Sequence, residues 1–82
     1  MSIIMYGSEL CEDTMEAKKL FEENKVEYVF KDITKELSNL KEFLAIRDTN
    51  SCYSKIREEH GIGMPCIVKE DGSITLEPKD VL

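Results

Sequence analysis

The sequence predicts an α/β domain in which one mixed four-stranded sheet is flanked by helices. Three features predict it. Two β-rich runs, Ser2 to Tyr6 and Val26 to Ile33, are separated by a charged amphipathic segment. A connection that runs through a helix makes the two strands parallel. Further on, the runs Cys66 to Glu70 and Ser73 to Leu76 flank Asp71-Gly72, a dipeptide that signals an antiparallel hairpin. Between these pairs Leu37, Leu40, Phe43, Leu44 and Ile46 mark an apolar helical stripe. With 82 residues the chain has room for a single domain spanning 1–82.

Each element has a local reason. The first strand ends at the turn Gly7-Ser8. Thr14, Ala17, Leu20 and Phe21 recur at helical spacing, giving a helix from about residue 12 to 24 with a stop at Asn24-Lys25. The second strand is rich in β-branched and aromatic residues. Thr34 can cap a second helix, with Glu36 near the positive end of its dipole. Its stripe is assigned to the core and not to a partner groove. The polar stretch Asp48 to Ser51 breaks that pattern. A short helical turn follows, with Tyr53, Ile56 and His60 on one face and Gly61 as its stop. At the end of that helix a charged His60 would favour the dipole. Pro78 starts a final helical turn.

Composition narrows the function. Hydrophobic residues at 41% with charged residues at 34% fit a soluble globular chain. The 11 basic against 17 acidic residues give a formal charge of -6, which opposes nucleic-acid binding because phosphates are met by Lys and Arg. The N-terminal apolar run Ile3 to Tyr6 is too short for a membrane span or a signal peptide. The expectation is a cytoplasmic monomer with no membrane partner. Cysteines stand at 11, 52 and 66, an odd and widely spaced set unlike a disulfide framework. Cys52, His60 and Cys66 fit no common metal-site spacing and lack a fourth ligand, so no metal is expected.

Two segments carry chemistry: Cys11-Glu12-Asp13-Thr14 and Gly63-Met64-Pro65-Cys66. The reactive form of a cysteine is the thiolate, and a helix N-terminus stabilises it through unpaired N–H groups and the dipole. Thr14, one turn along, can donate a hydrogen bond to the Cys11 sulfur, whereas Glu12 and Asp13 oppose its ionisation. Alternatively Cys11 is a small buried apolar residue. Pro65 either faces the active site or simply opens an edge strand. Tyr6, ending the first strand, either lines the thiol's pocket or packs. Strand alternation turns Cys66 away from the side that Pro65 faces, which favours a core cysteine over a resolving thiol. Cys52 lies in the polar stretch and is read as exposed and incidental.

These segments, in this order of elements, resemble the glutaredoxin-like proteins of the thioredoxin superfamily over nearly the whole chain. The resemblance implies a thioredoxin-like fold with Cys11 as nucleophile, Thr14 where dithiol members keep a resolving cysteine, and Pro65 as the cis-proline. It further implies that the backbone N–H and C=O of Met64 pair with an extended thiol peptide, as in strand addition. The implied activity is monothiol exchange on protein or low-molecular-weight thiols and disulfides. Members that use glutathione carry a lysine shortly before the cysteine, where this chain has Gly7-Ser8-Glu9-Leu10. They also carry a Gly-Gly pair and an aspartate where Glu77-Pro78-Lys79-Asp80 stands, with Asp80 as a remnant. Glutathione is therefore expected to serve only as a weakly bound thiol co-substrate. The Cys-Gly-Phe-Ser signature of iron–sulfur members is absent from this sequence, and no cofactor is expected. From a different class, the competing reading is a redox-inactive thioredoxin-fold module that binds a partner at the Met64-Pro65 edge.

Overall fold

A computed structural model describes residues 2–82. In chain order the elements are β1 (Ile3–Gly7), α1 (Glu12–Glu23), β2 (Tyr28–Asp32), α2 (Leu37–Thr49), a 3-10 turn (Ser51–Tyr53), α3 (Ser54–Glu58), β3 (Cys66–Val68), β4 (Ile74–Thr75) and a closing 3-10 turn (Pro78–Val81). The four strands form one sheet in the order β2-β1-β3-β4. β1 runs parallel to β2 and antiparallel to β3, which pairs antiparallel with β4.

Alternation along the strands divides the core into two halves. Ile3, Met5 and Ile67 face α1, where they bury Ala17 and Phe21. Tyr6 and Cys66, opposite one another in register, face α2 and pack with Ile33, Phe43 and Tyr53. The Tyr53 ring meets Phe43 edge-on, with centroids 6.2 Å apart. Among the described residues, no helix is long and apolar enough to cross a membrane.

Several predicted boundaries move, for identifiable reasons. α2 starts at Leu37, and its N-cap is Glu36 without a side-chain capping bond. Thr34 is drawn away by Asp32, whose Oδ1 accepts both its N–H (2.8 Å) and its hydroxyl (2.6 Å). The apolar stripe of α2 is only partly core. Phe43 is buried, but Leu37 is 66% exposed and Leu44 is exposed as well. β3 and β4 are three and two residues long, which leaves little sheet for the stripe to cover. The hairpin turn takes up the rest of the predicted strands. Lys69 N donates to Ser73 O, Gly72 N donates to Lys69 O, and Gly72 takes φ +88.

α1 and α3 both end on a left-handed residue that is not glycine. At α1 this is Lys25 (φ 56), followed by a bond from Val26 N to Phe21 O of 2.9 Å. At α3 it is His60 (φ 58), followed by a bond from Gly61 N to Ile56 O of 2.9 Å. His60 is therefore exposed in the stop itself and does not share an apolar face with Tyr53 and Ile56. These bonds satisfy helix carbonyls that would otherwise lack partners.

Candidate active site

β1 delivers the chain to the thiol. In the antiparallel pair Tyr6 stands opposite Cys66, so continuing the register by one residue sets Gly7 opposite Pro65. The Met64–Pro65 peptide is cis. After Gly7 the chain turns, with Cys11 N donating to Ser8 O (3.0 Å). Cys11 is the N-cap of the 12-residue α1, in extended conformation (φ -103, ψ 124), and its thiol makes no capping bond. It is half-buried and free, as are the buried Cys66 and the exposed Cys52.

Thr14 serves the turn and not the sulfur. It is fully buried, and its Oγ1 accepts the N–H of Ser8 at 3.4 Å. A Cβ at residue 7 would stand 2.6 Å from that oxygen and 2.7 Å from Cγ2, so the close approach of α1 to β1 requires glycine there. The expected bond from the Thr14 hydroxyl to Cys11 is not formed. The third residue of α1 lies back over the end of β1, where the buried Ser8 N–H needs an acceptor.

A second set of bonds ties the same turn to β2. Gly7 pairs with Asp32 in register. The Thr34 hydroxyl proton goes to the Asp32 carboxylate, so the 3.1 Å contact between Ser8 Oγ and Thr34 Oγ1 must have Ser8 as donor. Leu10 N in turn donates to Ser8 Oγ at 3.1 Å. The chain of donors runs from Leu10 through Ser8 and Thr34 to Asp32. Sequence reasoning missed it, although Asp-x-Thr after a strand is a local turn signal.

Asp32 is buried, and its Oδ2 has no partner. Burial works to raise its carboxyl pKa. The hydrogen bonds from Thr34, with the backbone N–H of Glu9 and the Lys35 ammonium nearby, outweigh burial and hold it below the ordinary value. Unfolding at low pH therefore takes up a proton here. The stabilisation is full above the ordinary carboxyl range and is lost as pH falls through the lowered folded value. Asp32→Ala is expected to cost about 1.5–3 kcal/mol at pH 7. In urea unfolding the gap from wild type should narrow between pH 5 and pH 3. A gap independent of pH would contradict this account.

The loop on the other side is held by its carbonyls. Arg47 Nε donates to Gly61 O (3.1 Å) and Ile62 O (3.2 Å), and the Tyr53 hydroxyl donates to Gly63 O (2.6 Å). Arg57 supports the bracing segment from below, donating to Arg47 O (2.7 Å) and Asn50 O (2.9 Å). Gly63 takes φ +81, and a Cβ there would collide with the Tyr53 ring. Burial pushes the Tyr53 hydroxyl far above its ordinary pKa, so it remains a donor. Among the described residues, the N–H and C=O of Met64 have no hydrogen-bond partner. Nothing local in the sequence signals these braces, because each spans seven or more residues.

Met64 and Pro65 share a groove of about 340 Å³ with Asp13, Glu16 and Leu20 of α1 and with Glu77 and Lys79. Pro65 thus lies across from the first turns of the helix that begins at Cys11. Tyr6 is not at this site. Alternation sends it to the α2 side, where it is buried and its hydroxyl donates to Glu42 Oε1 at 2.9 Å. Burial, aided by that carboxylate, pushes its pKa up to about 12. Cys66 also lies on the α2 face, fully buried, and burial pushes its thiol pKa up. Glu9 is engaged by Lys35 (2.8 Å) and Lys18 (3.5 Å). Asp80 accepts the Thr75 hydroxyl at 2.6 Å.

Comparisons with protein families, with characterised proteins and with solved structures find no match to this chain.

Proposed function

We propose that this chain is a glutaredoxin-like thiol–disulfide oxidoreductase of thioredoxin-like fold, acting by a monothiol mechanism with Cys11 as nucleophile. The observation that carries the reading is the unpaired backbone edge of Met64, beside the strand that leads to Cys11. A disulfide partner can dock its own backbone on that edge, with Cys11 at the N-terminus of α1 as the attacking group. The Cys11 thiolate attacks one sulfur of the partner disulfide. That S–S bond breaks, the other sulfur leaves as a thiolate and takes a proton from water, and a mixed disulfide forms on Cys11. An external thiol, losing its proton to water, attacks the partner sulfur of this mixed disulfide; the bond to Cys11 breaks, Cys11 leaves as thiolate, and a new disulfide joins the partner to the external thiol. Cys66 takes no part, because it lies on the opposite face of the sheet with its thiol form favoured by burial. Glutathione is a poor partner. Glu9 is fixed near the thiol by two lysines, and Asp80 is engaged by Thr75 in place of a ligand.

The test is oxidation with a small disulfide, read by mass spectrometry. Wild type should stop at a single adduct on Cys11 once Cys52 is replaced by serine, and Cys11→Ser should remove it. An internal Cys11–Cys66 bridge would contradict the mechanism. One observation favours the competing reading, a redox-inactive binding module at the same edge. The thiol has no hydrogen-bond donor among the described residues, and Glu12 and Asp13 follow it directly. In the module the Met64 edge binds a partner without exchange.

A further inference from the structure

β2 is an edge strand, since the sheet runs in the order β2-β1-β3-β4. Ile33 N donates to Gly7 O at 2.9 Å. In a parallel ladder alternate residues share that direction, so Lys31 and Val29 bond to β1, and Tyr28 and Phe30 turn their N–H and C=O outwards. Among the described residues nothing meets those outward groups. The edge is closed on either side of them. Asn39 Nδ2 donates to Asp32 O (3.1 Å), and Val26 N donates to Phe21 O (2.9 Å). The side chains of Tyr28 and Phe30 pack on the α1 face. Val29 and Lys31 lie on the other face, in register with Ile4 and Tyr6, and Val29 is 46% exposed. Continuing the alternation by one residue puts the exposed Glu27 on that same face.

We propose that this edge pairs antiparallel with the same edge of a second copy, across a two-fold axis at Val29, joining the two sheets into one. The proposal rests on the strand and not on the chemistry of Cys11. The segment Glu27-Tyr28-Val29-Phe30-Lys31 is complementary to itself when reversed. On the axis Val29 meets its own copy. Tyr28 exchanges both backbone bonds with the partner's Phe30, and Glu27 faces the partner's Lys31. The Val29 and Glu27–Lys31 pairs are of the non-hydrogen-bonded kind, in which side chains approach most closely. Sliding the copies by two residues sets Val29 against the partner's Lys31 or, the other way, against its Glu27. Only the register centred on Val29 matches charge with charge and apolar with apolar. A charge on an edge strand ordinarily repels a copy of itself, but here the two-fold sets each against its opposite. Glu27 has no ion pair among the described residues. The shallow groove of Ile4, Val29 and Val68, about 420 Å³, would continue into the partner's across the axis. The formal charge of -6 on each copy opposes association, and a strand edge buries little area, so the dimer is weak. β1 runs parallel to β2, so antiparallel copies carry their thiols at opposite ends of the joined sheet, where both stay free.

The test is sedimentation equilibrium of the full chain under reducing conditions at physiological salt, from micromolar to millimolar concentration. The average mass should rise with concentration from that of one chain towards that of two. Val29→Lys, at an exposed position, puts like charges on the axis and should abolish the rise while the circular dichroism spectrum stays unchanged. Glu27→Lys and Lys31→Glu should each weaken self-association roughly tenfold. Mixed in equal amounts, these two variants should associate at least as tightly as wild type, because every facing charge pair is then of opposite sign. The mass of one chain at all concentrations, the monomer expected from the sequence, would overturn the proposal. So would a dimer that persists in Val29→Lys, or a mixture that associates no better than its components.

Discussion

Replacing Tyr53 with alanine is expected to lower the unfolding free energy by about 3–5 kcal/mol. For a domain of this size, whose total is roughly 4–12 kcal/mol, that is a large share. The ring is fully buried between Phe43 and the loop before Pro65, so its loss opens a cavity at the centre of the α2-side core. Tyr53→Phe isolates the hydroxyl. The ring stays, Gly63 O loses its donor, and the expected cost is about 1–3 kcal/mol. Urea unfolding of the two variants separates packing from bracing. The functional consequence should be selective as well. Tyr53→Phe should slow the reaction of Cys11 with peptide disulfides, which need the Met64 edge in place, more than alkylation by iodoacetamide, which does not. Equal slowing of both reactions would mean that Tyr53 acts on the fold alone.

Thr14→Cys should change the chemistry outright. It places a second thiol one helical turn from Cys11, so oxidation should close an internal disulfide with loss of two hydrogens and no adduct. With the exposed Cys52 replaced by serine in both proteins, the chain that keeps Thr14 should carry one adduct on Cys11 under the same conditions. Because Thr14 Oγ1 accepts Ser8 N–H in the buried turn, the exchange also removes an acceptor. Thr14→Val shows that cost by itself, an expected loss of about 1–3 kcal/mol without formation of any disulfide. Since the threonine hydroxyl does not reach the sulfur, Thr14→Val should affect Cys11 alkylation only through loosening of the turn. Both variants are followed by intact mass and by thermal unfolding.

These sites show where sequence reasoning succeeds and where it runs out. β1, α1 and the final turn at Pro78 were legible because each depends on neighbours in the chain: alternation, helical spacing, a proline at the first helical position. Gly7 was legible as a turn residue, but the reason glycine is required there, the side chain of Thr14, is a contact between elements. Thr34 is of a type that suits a helix cap. Asp32, two residues earlier, competes for the same hydroxyl and wins. The α2 stripe shows which face is apolar and not how much of it the sheet covers, so Leu37 and Leu44 read as core although both are exposed. The braces on the loop before Pro65 come from Arg47 and Tyr53, distant in sequence, and no periodicity reports them.

The central claim is that Cys11 is a reactive thiol at the N-terminus of α1 and not a passive cysteine beside a binding edge. Its most direct test is the rate of Cys11 alkylation across pH in a Cys52→Ser/Cys66→Ser background. The account predicts appreciable alkylation at neutral pH, and faster alkylation when Glu12→Gln and Asp13→Asn remove the opposing carboxylates. Alkylation that begins only above about pH 8.5, where an ordinary free thiol ionises, and that ignores both substitutions, would contradict the claim and leave a binding module.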